Sequence, residues 1–155
     1  MTEFGFIDSI KRLFATLPDN GFEGIGDDCA ILPIGSGESL VFTADLLAEG
    51  VHFLRDATSA RELGRKSLAV NLSDVAAMGA RPVATLLSIA LPADAADTWA
   101  EAFMLGYREL SEQFGAALVG GDTTRSLSGV TINVTAIQAP SLRPRPRWRA
   151  RRCKY

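Results

Sequence analysis

Apolar residues recur at helical spacing from the start of the chain. Phe6, Ile7, Ile10, Leu13 and Phe14 share one face and predict a helix over 3–15. "LPDNGFEGIG" then breaks the pattern with Gly, Pro, Asn and Asp, as a loop does. Two short apolar runs, "CAILPI" and "SLVFTAD", flank "GSGE" and predict a β-hairpin. "LLAEGVHFLRDA" follows as an irregular segment. Ser59 and Glu62 form the Ser-x-x-Glu capping box that opens a helix running to about Met78, closed by Gly79 with Pro82 beyond. "RPVATLLSIALP" reads as a long strand. A helix is expected from about Asp94 to Gly115, then "AALVGGD" as a short buried strand running into a loop. Val130, Ile132, Val134 and Ala136 alternate with Thr131, Asn133 and Thr135, the signature of a half-exposed strand. The order α-β-β-α-β-α-β-β mixes the elements without strict βαβ alternation. It predicts an α+β fold, a mixed sheet with helices packed on one face.

Composition agrees with one domain: 155 residues, 47% hydrophobic and 22% charged. There is no apolar run long enough for a membrane span, and the N-terminus lacks a signal-peptide pattern. Cys29 and Cys153 suggest no disulfide framework, so a soluble cytoplasmic protein is expected. The net charge of −2 conceals an asymmetry. Residues 1–139 hold all 18 acids and 9 of the 16 basic residues, whereas "PSLRPRPRWRARRCKY" (140–155) holds 7 basic residues and no acid.

The acids carry the candidate chemistry. Asp27 and Asp28 are adjacent before a strand, Asp45 ends the next strand, Asp74 lies inside a largely apolar helix, and Asp122 follows the pair Gly120-Gly121. Ser67, Asn71 and Asp74 share one polar stripe of that helix. A buried carboxylate must be paired or bind a metal. Arg65, Lys66 and Arg81 are the cations close in sequence, and pairing with one of them is the plainer alternative. Were several carboxylates to converge, two charges about 5 Å apart at an effective dielectric near 20 would repel by roughly 3 kcal/mol. A divalent cation would then be required, and all-oxygen ligands point to Mg²⁺. His52, the sole histidine, has no partners for zinc and is readable as a core or loop residue. A Ser-His-Asp arrangement fits the spacing, but there is no nucleophile elbow. Neither a Walker A motif nor a Rossmann fingerprint is present.

Taken together, "GIGDDCAIL", "FTADLLAEGVHF", "KSLAVNLSDVAAMGARP" and "LVGGDTTRS" strongly resemble thiamine-monophosphate kinase. That family belongs to the ATP-binding superfamily of aminoimidazole ribonucleotide synthetase and selenophosphate synthetase, and the resemblance covers about residues 3–138. It implies an aminoimidazole ribonucleotide synthetase N-terminal-domain-like fold and transfer of the ATP γ-phosphoryl to thiamine monophosphate, giving thiamine diphosphate. It further implies Asp28, Asp45, Asp74 and Asp122 as ligands of several Mg²⁺ ions, with Thr43 a lesser ligand and Asp27 a neighbour. Gly121 and Asp122 match the nucleotide-contacting loop, and His52 matches a contact to the thiamine phosphate. The family has a hydroxyl residue where this chain has Ala44, a departure expected to weaken one metal site. The acceptor is a phosphate monoester, so no strong base is needed, and His52 is cast as a positioning group. Homodimers formed through this domain are typical of the family.

The resemblance stops at Gln138. Residues 1–139 are expected to form the N-terminal ATP- and Mg²⁺-binding domain. The tail 140–155 is expected to be disordered, either a frame-shifted product of a truncated chain lacking the family's second domain or a basic arm for RNA or an anionic surface. The truncated reading is favoured, so nucleic acid is not the expected partner and the chain alone is expected to be inactive or nearly so. Two other hypotheses are a different synthetase or maturation protein of the superfamily and a non-catalytic dimerisation or nucleotide-binding module.

Overall fold

In the computed structural model, residues 2–16, 18, 21, 25, 29–35, 37–95 and 97–139 are described. Asp27, Asp28, the tail 140–155 and Cys153 lie outside them. The elements are α1 (Glu3–Phe14), β1 (Ala30–Gly35), β2 (Glu38–Ala48), α2 (Ala60–Ala77), β3 (Pro82–Leu91), a 3-10 turn (Ala93–Ala95), α3 (Asp97–Phe114), β4 (Ala117–Arg125) and β5 (Thr131–Gln138). The five strands form one mixed sheet in the order β1-β2-β5-β3-β4. The β3–β4 pair is parallel and joined by α3, and the other pairs are antiparallel. The α+β expectation holds, and all the strands read from the sequence share this sheet.

Helices α2 and α3 cover one face. The core beneath them joins Leu63, Leu68 and Leu72 of α2, Phe103, Tyr107 and Leu110 of α3, and Leu47, Leu87, Ile89, Ile132 and Val134 of the sheet. Burying each large apolar side chain contributes roughly 1.5–3 kcal/mol. The two helices meet almost backbone to backbone. A Cβ on Gly64 would lie 2.0 Å from the Phe103 carbonyl oxygen, and one on Gly106 would lie 1.8 Å from that of Arg61. Across the seam Arg61 and Arg65 both pair with Glu109. Both hydrogen bonds of the Ser59–Glu62 capping box start α2.

Three details differ from the sequence expectation. Strand β2 runs on to Ala48, because β5 pairs with it as far as Ala48–Thr131. Strand β4 is longer than expected and exposed along its whole length, since it is the edge strand beyond β3. The helix expected from Asp94 begins at Asp97, after the 3-10 turn closed by Ala95 N–H on the Pro92 carbonyl. Helix α1 forms as expected, capped by Thr2, yet buries no residue: Phe4, Phe6, Leu13 and Phe14 are exposed.

Candidate metal centre and substrate loop

Alternation along β2 turns Val41, Thr43, Asp45 and Leu47 toward the helices and Ala44 and Leu46 away. Thr43 is buried, and its hydroxyl donates to Asp74 Oδ2 across the β2–α2 contact at 2.9 Å. Asp45 stands one pleat along on the same face. Its carboxyl is held above the ordinary aspartate range, first by burial and then by the nearby charge of Asp74, with His52 acting in the opposite sense. Thr43, Asp45, Asp74 and His52 thus share one neighbourhood. Ala44 alternates to the other face and registers with Thr135, away from Asp74.

Two of the cations near Asp74 in sequence are engaged elsewhere: Arg65 reaches Glu109, and Lys66 donates to the His52 carbonyl at 2.6 Å. Asn71, on the same helix, is fully buried; its amide donates to the Ser67 carbonyl, while its Oδ1 has no hydrogen-bond partner among the described residues. In the sequence Lys66 stands out only as a possible partner for Asp74.

His52 lies just beyond β2 in a tightly bonded turn. Val51 and His52 N–H both donate to the Ala48 carbonyl, and Ala48 N–H donates to His52 Nδ1 at 3.0 Å. Phe53 anchors the turn in the core. Arg55 bridges Glu49 and Asp94 at 3.2 and 2.8 Å, and Glu49 accepts from Val130 N–H at 2.7 Å.

Gly121 and Asp122 fall elsewhere. The row through Asp45 continues to Val134, Leu87 and Gly121. Asp122 belongs to the next row, with Ser88 and Asn133. Three strand spacings, about 14 Å, separate β2 from β4. Gly121 has φ +147°, and a Cβ there would sit 1.8 Å from the Leu87 carbonyl oxygen, so only glycine fits. Among the described residues no three His, Cys, Asp or Glu side chains converge as a metal group. What converges is two carboxylates and a hydroxyl, an all-oxygen set. That fits Mg²⁺, which is commonly held by one or two carboxylates plus substrate phosphates and waters.

A mixed five-stranded sheet with two helices on one face, and paired acids at the β2–α2 contact, defines an α+β domain with an acidic site at the helix-covered face. The sequence model of "AIR synthase related protein, N-terminal domain" matches residues 26–138, and the chain belongs to that family. It is 44% identical over 111 residues to the thiamine-monophosphate kinase of Escherichia coli strain K12, covering 72% of this chain and 34% of that protein. It is 38% identical over 133 residues to the thiamine-monophosphate kinase of Buchnera aphidicola from Acyrthosiphon pisum, covering 86% and 41%. Among solved structures, "AaThiL complexed with AMPPCP and TMP" superposes with a TM-score of 0.80 at 35% identity, covering 91% of this chain and 42% of that one. The chain therefore spans between about a third and two fifths of the length of these relatives. No helix among the described residues is long and apolar enough to cross a membrane.

Proposed function

We propose that this chain carries the Mg²⁺- and nucleotide-binding part of a thiamine-monophosphate kinase, an enzyme that phosphorylates thiamine monophosphate to thiamine diphosphate with ATP. The observation that carries the reading is the meeting of Thr43, Asp45 and Asp74, with neither acid in a salt bridge to lysine or arginine among the described residues. The kinases to which the chain is similar, and the AMPPCP and TMP of the solved relative, support the choice of nucleotide and substrate.

When bound, Mg²⁺ would neutralise the triphosphate and the charge that develops during phosphoryl transfer. Asp45 and Asp74 are assigned as its protein ligands here, with Thr43 orienting Asp74; Asp28 and Asp122 are assigned to further Mg²⁺ ions. Gly121 brings bare backbone to the nucleotide, and Asp122 contacts it. His52 orients the phosphate of thiamine monophosphate and moves no proton. The open face of the sheet, where Leu46 and Leu86 are exposed, is assigned to a homodimer contact.

The test is equilibrium binding of a non-hydrolysable ATP analogue, with and without Mg²⁺, alongside a thiamine-monophosphate phosphorylation assay. The 155-residue chain is expected to bind the analogue in a Mg²⁺-dependent manner with little turnover. Binding indifferent to Mg²⁺ would overturn the proposal.

A further inference from the structure

Residue 52 is held at three points. Its N–H donates to the Ala48 carbonyl at 2.9 Å, its carbonyl accepts from Lys66 Nζ at 2.6 Å, and its ring accepts from Ala48 N–H at Nδ1, 3.0 Å away. A ring nitrogen that accepts carries no proton, so the neutral imidazole keeps its proton on Nε2, on an exposed side chain. Lys66 lies on α2 eight residues before Asp74, about 12 Å along the helix axis. One rigid element therefore carries Asp74 and grips the loop that bears His52.

We propose that Lys66 is a positioning residue for His52, which it holds through the backbone so that the ring stays in the Nε2–H tautomer and offers that N–H to a phosphate monoester. The carbonyl tether fixes the peptide after residue 52, and with it the direction in which the side chain leaves the backbone. With the N–H bonded to the Ala48 carbonyl and the carbonyl tethered, Nδ1 stays within reach of the Ala48 N–H. The rest of the loop has its own anchors, with Phe53 in the core and Arg55 between Glu49 and Asp94. Losing the Lys66 tether therefore loosens the carbonyl side of residue 52 without unfolding the loop. The ammonium also places a positive charge beside the group assigned to the phosphate, where charge-assisted contacts are strongest.

The phosphate end of the proposal rests on the reading of His52 as a substrate contact; the tether does not. His52 is the only histidine, so its ring nitrogens are unambiguous in ¹⁵N spectra of the whole chain. At alkaline pH without ligand, one ring nitrogen should resonate as N–H and the other as a bare acceptor. In Lys66→Met the two resonances should move toward each other as the tautomers average. Lys66→Arg should restore their separation, because a guanidinium also donates to a carbonyl. An averaged ring in the unaltered chain, or an unchanged separation in Lys66→Met with a cooperative thermal melt, would overturn the proposal. Adding thiamine monophosphate should then shift Nε2 in the unaltered chain. If it shifts nothing, the substrate assignment of His52 fails while the tether stands.

Discussion

On the α2 side of the site, Thr43, Asp45, Asp74 and His52 sit on elements braced from several directions, whereas on the β4 side Gly121 and Asp122 sit on an edge strand exposed along its whole length. The first side is preorganised by burial: a covered sheet face, a close helix–helix seam, and a loop tied to the core and to α2. The second depends on one parallel neighbour, β3, and on a glycine whose backbone lies against Leu87. The contrast teaches which half of the candidate site a domain of this size can hold in place by itself. Carboxylates that repel one another are fixed where packing is strongest. The strand that carries Gly120 and Gly121 stays accessible.

Two substitutions break the contrast most forcefully. Gly64→Ala drives a methyl group into the Phe103 carbonyl and pushes α2 from α3. It is expected to cost about 3 kcal/mol or more and to lower the melting temperature by roughly 6–12 °C in a circular dichroism melt. Gly121→Ala meets the Leu87 carbonyl and a backbone angle that favours glycine, at a cost of about 1–3 kcal/mol. Hydrogen exchange should quicken at the β3–β4 ladder and stay slow in α2 and β5. Equal loosening of both regions would show that they are one cooperative unit and would erase the distinction.

Smaller changes sharpen it. Asp45→Asn removes a half-buried charge that faces Asp74, so in chelator the variant should melt slightly above the unaltered chain, by within about 1 kcal/mol in stability. With excess Mg²⁺ the order should reverse. The smallest effect belongs to Glu62, whose carboxyl is held below its ordinary range by the Ser59 hydroxyl and then by the Ser59 N–H. A depressed carboxylate contributes stability above its unfolded value and loses it as pH falls through the folded one. The stability difference between the unaltered chain and Glu62→Gln should therefore shrink on acidification across the carboxylate range, as read by melting temperature against pH.

Much of the braced region was legible in the sequence. The Ser59–Glu62 box placed α2 to within a residue, and the alternation of β5 picked out Ile132, Val134 and Ala136 as its buried face. Strand β4 was legible as a strand but not as an edge. Leu118 and Val119 look like core residues, and only the order β1-β2-β5-β3-β4, a property of the whole chain, leaves them uncovered. The apolar stripe of α1 was equally clear, yet periodicity does not name a partner, and the helix buries none of it. The meeting of Thr43 with Asp74 joins positions 31 residues apart, which spacing cannot announce; it came into view through resemblance alone. Lys66 was weighed as a partner for Asp74, because sequence proximity suggests side-chain pairs and hides side chain-to-backbone ones.

Asp45 and Asp74 are proposed to share a divalent cation that joins the protein to a nucleotide. Calorimetric titration of the unaltered chain and of Asp74→Asn with a non-hydrolysable ATP analogue, each in Mg²⁺ and in chelator, tests it most directly. The account predicts Mg²⁺-dependent binding in the unaltered chain and at least about tenfold weaker binding in Asp74→Asn, a loss of about 1.4 kcal/mol. Equal affinity in the two proteins, or affinity that chelator leaves untouched, would contradict it.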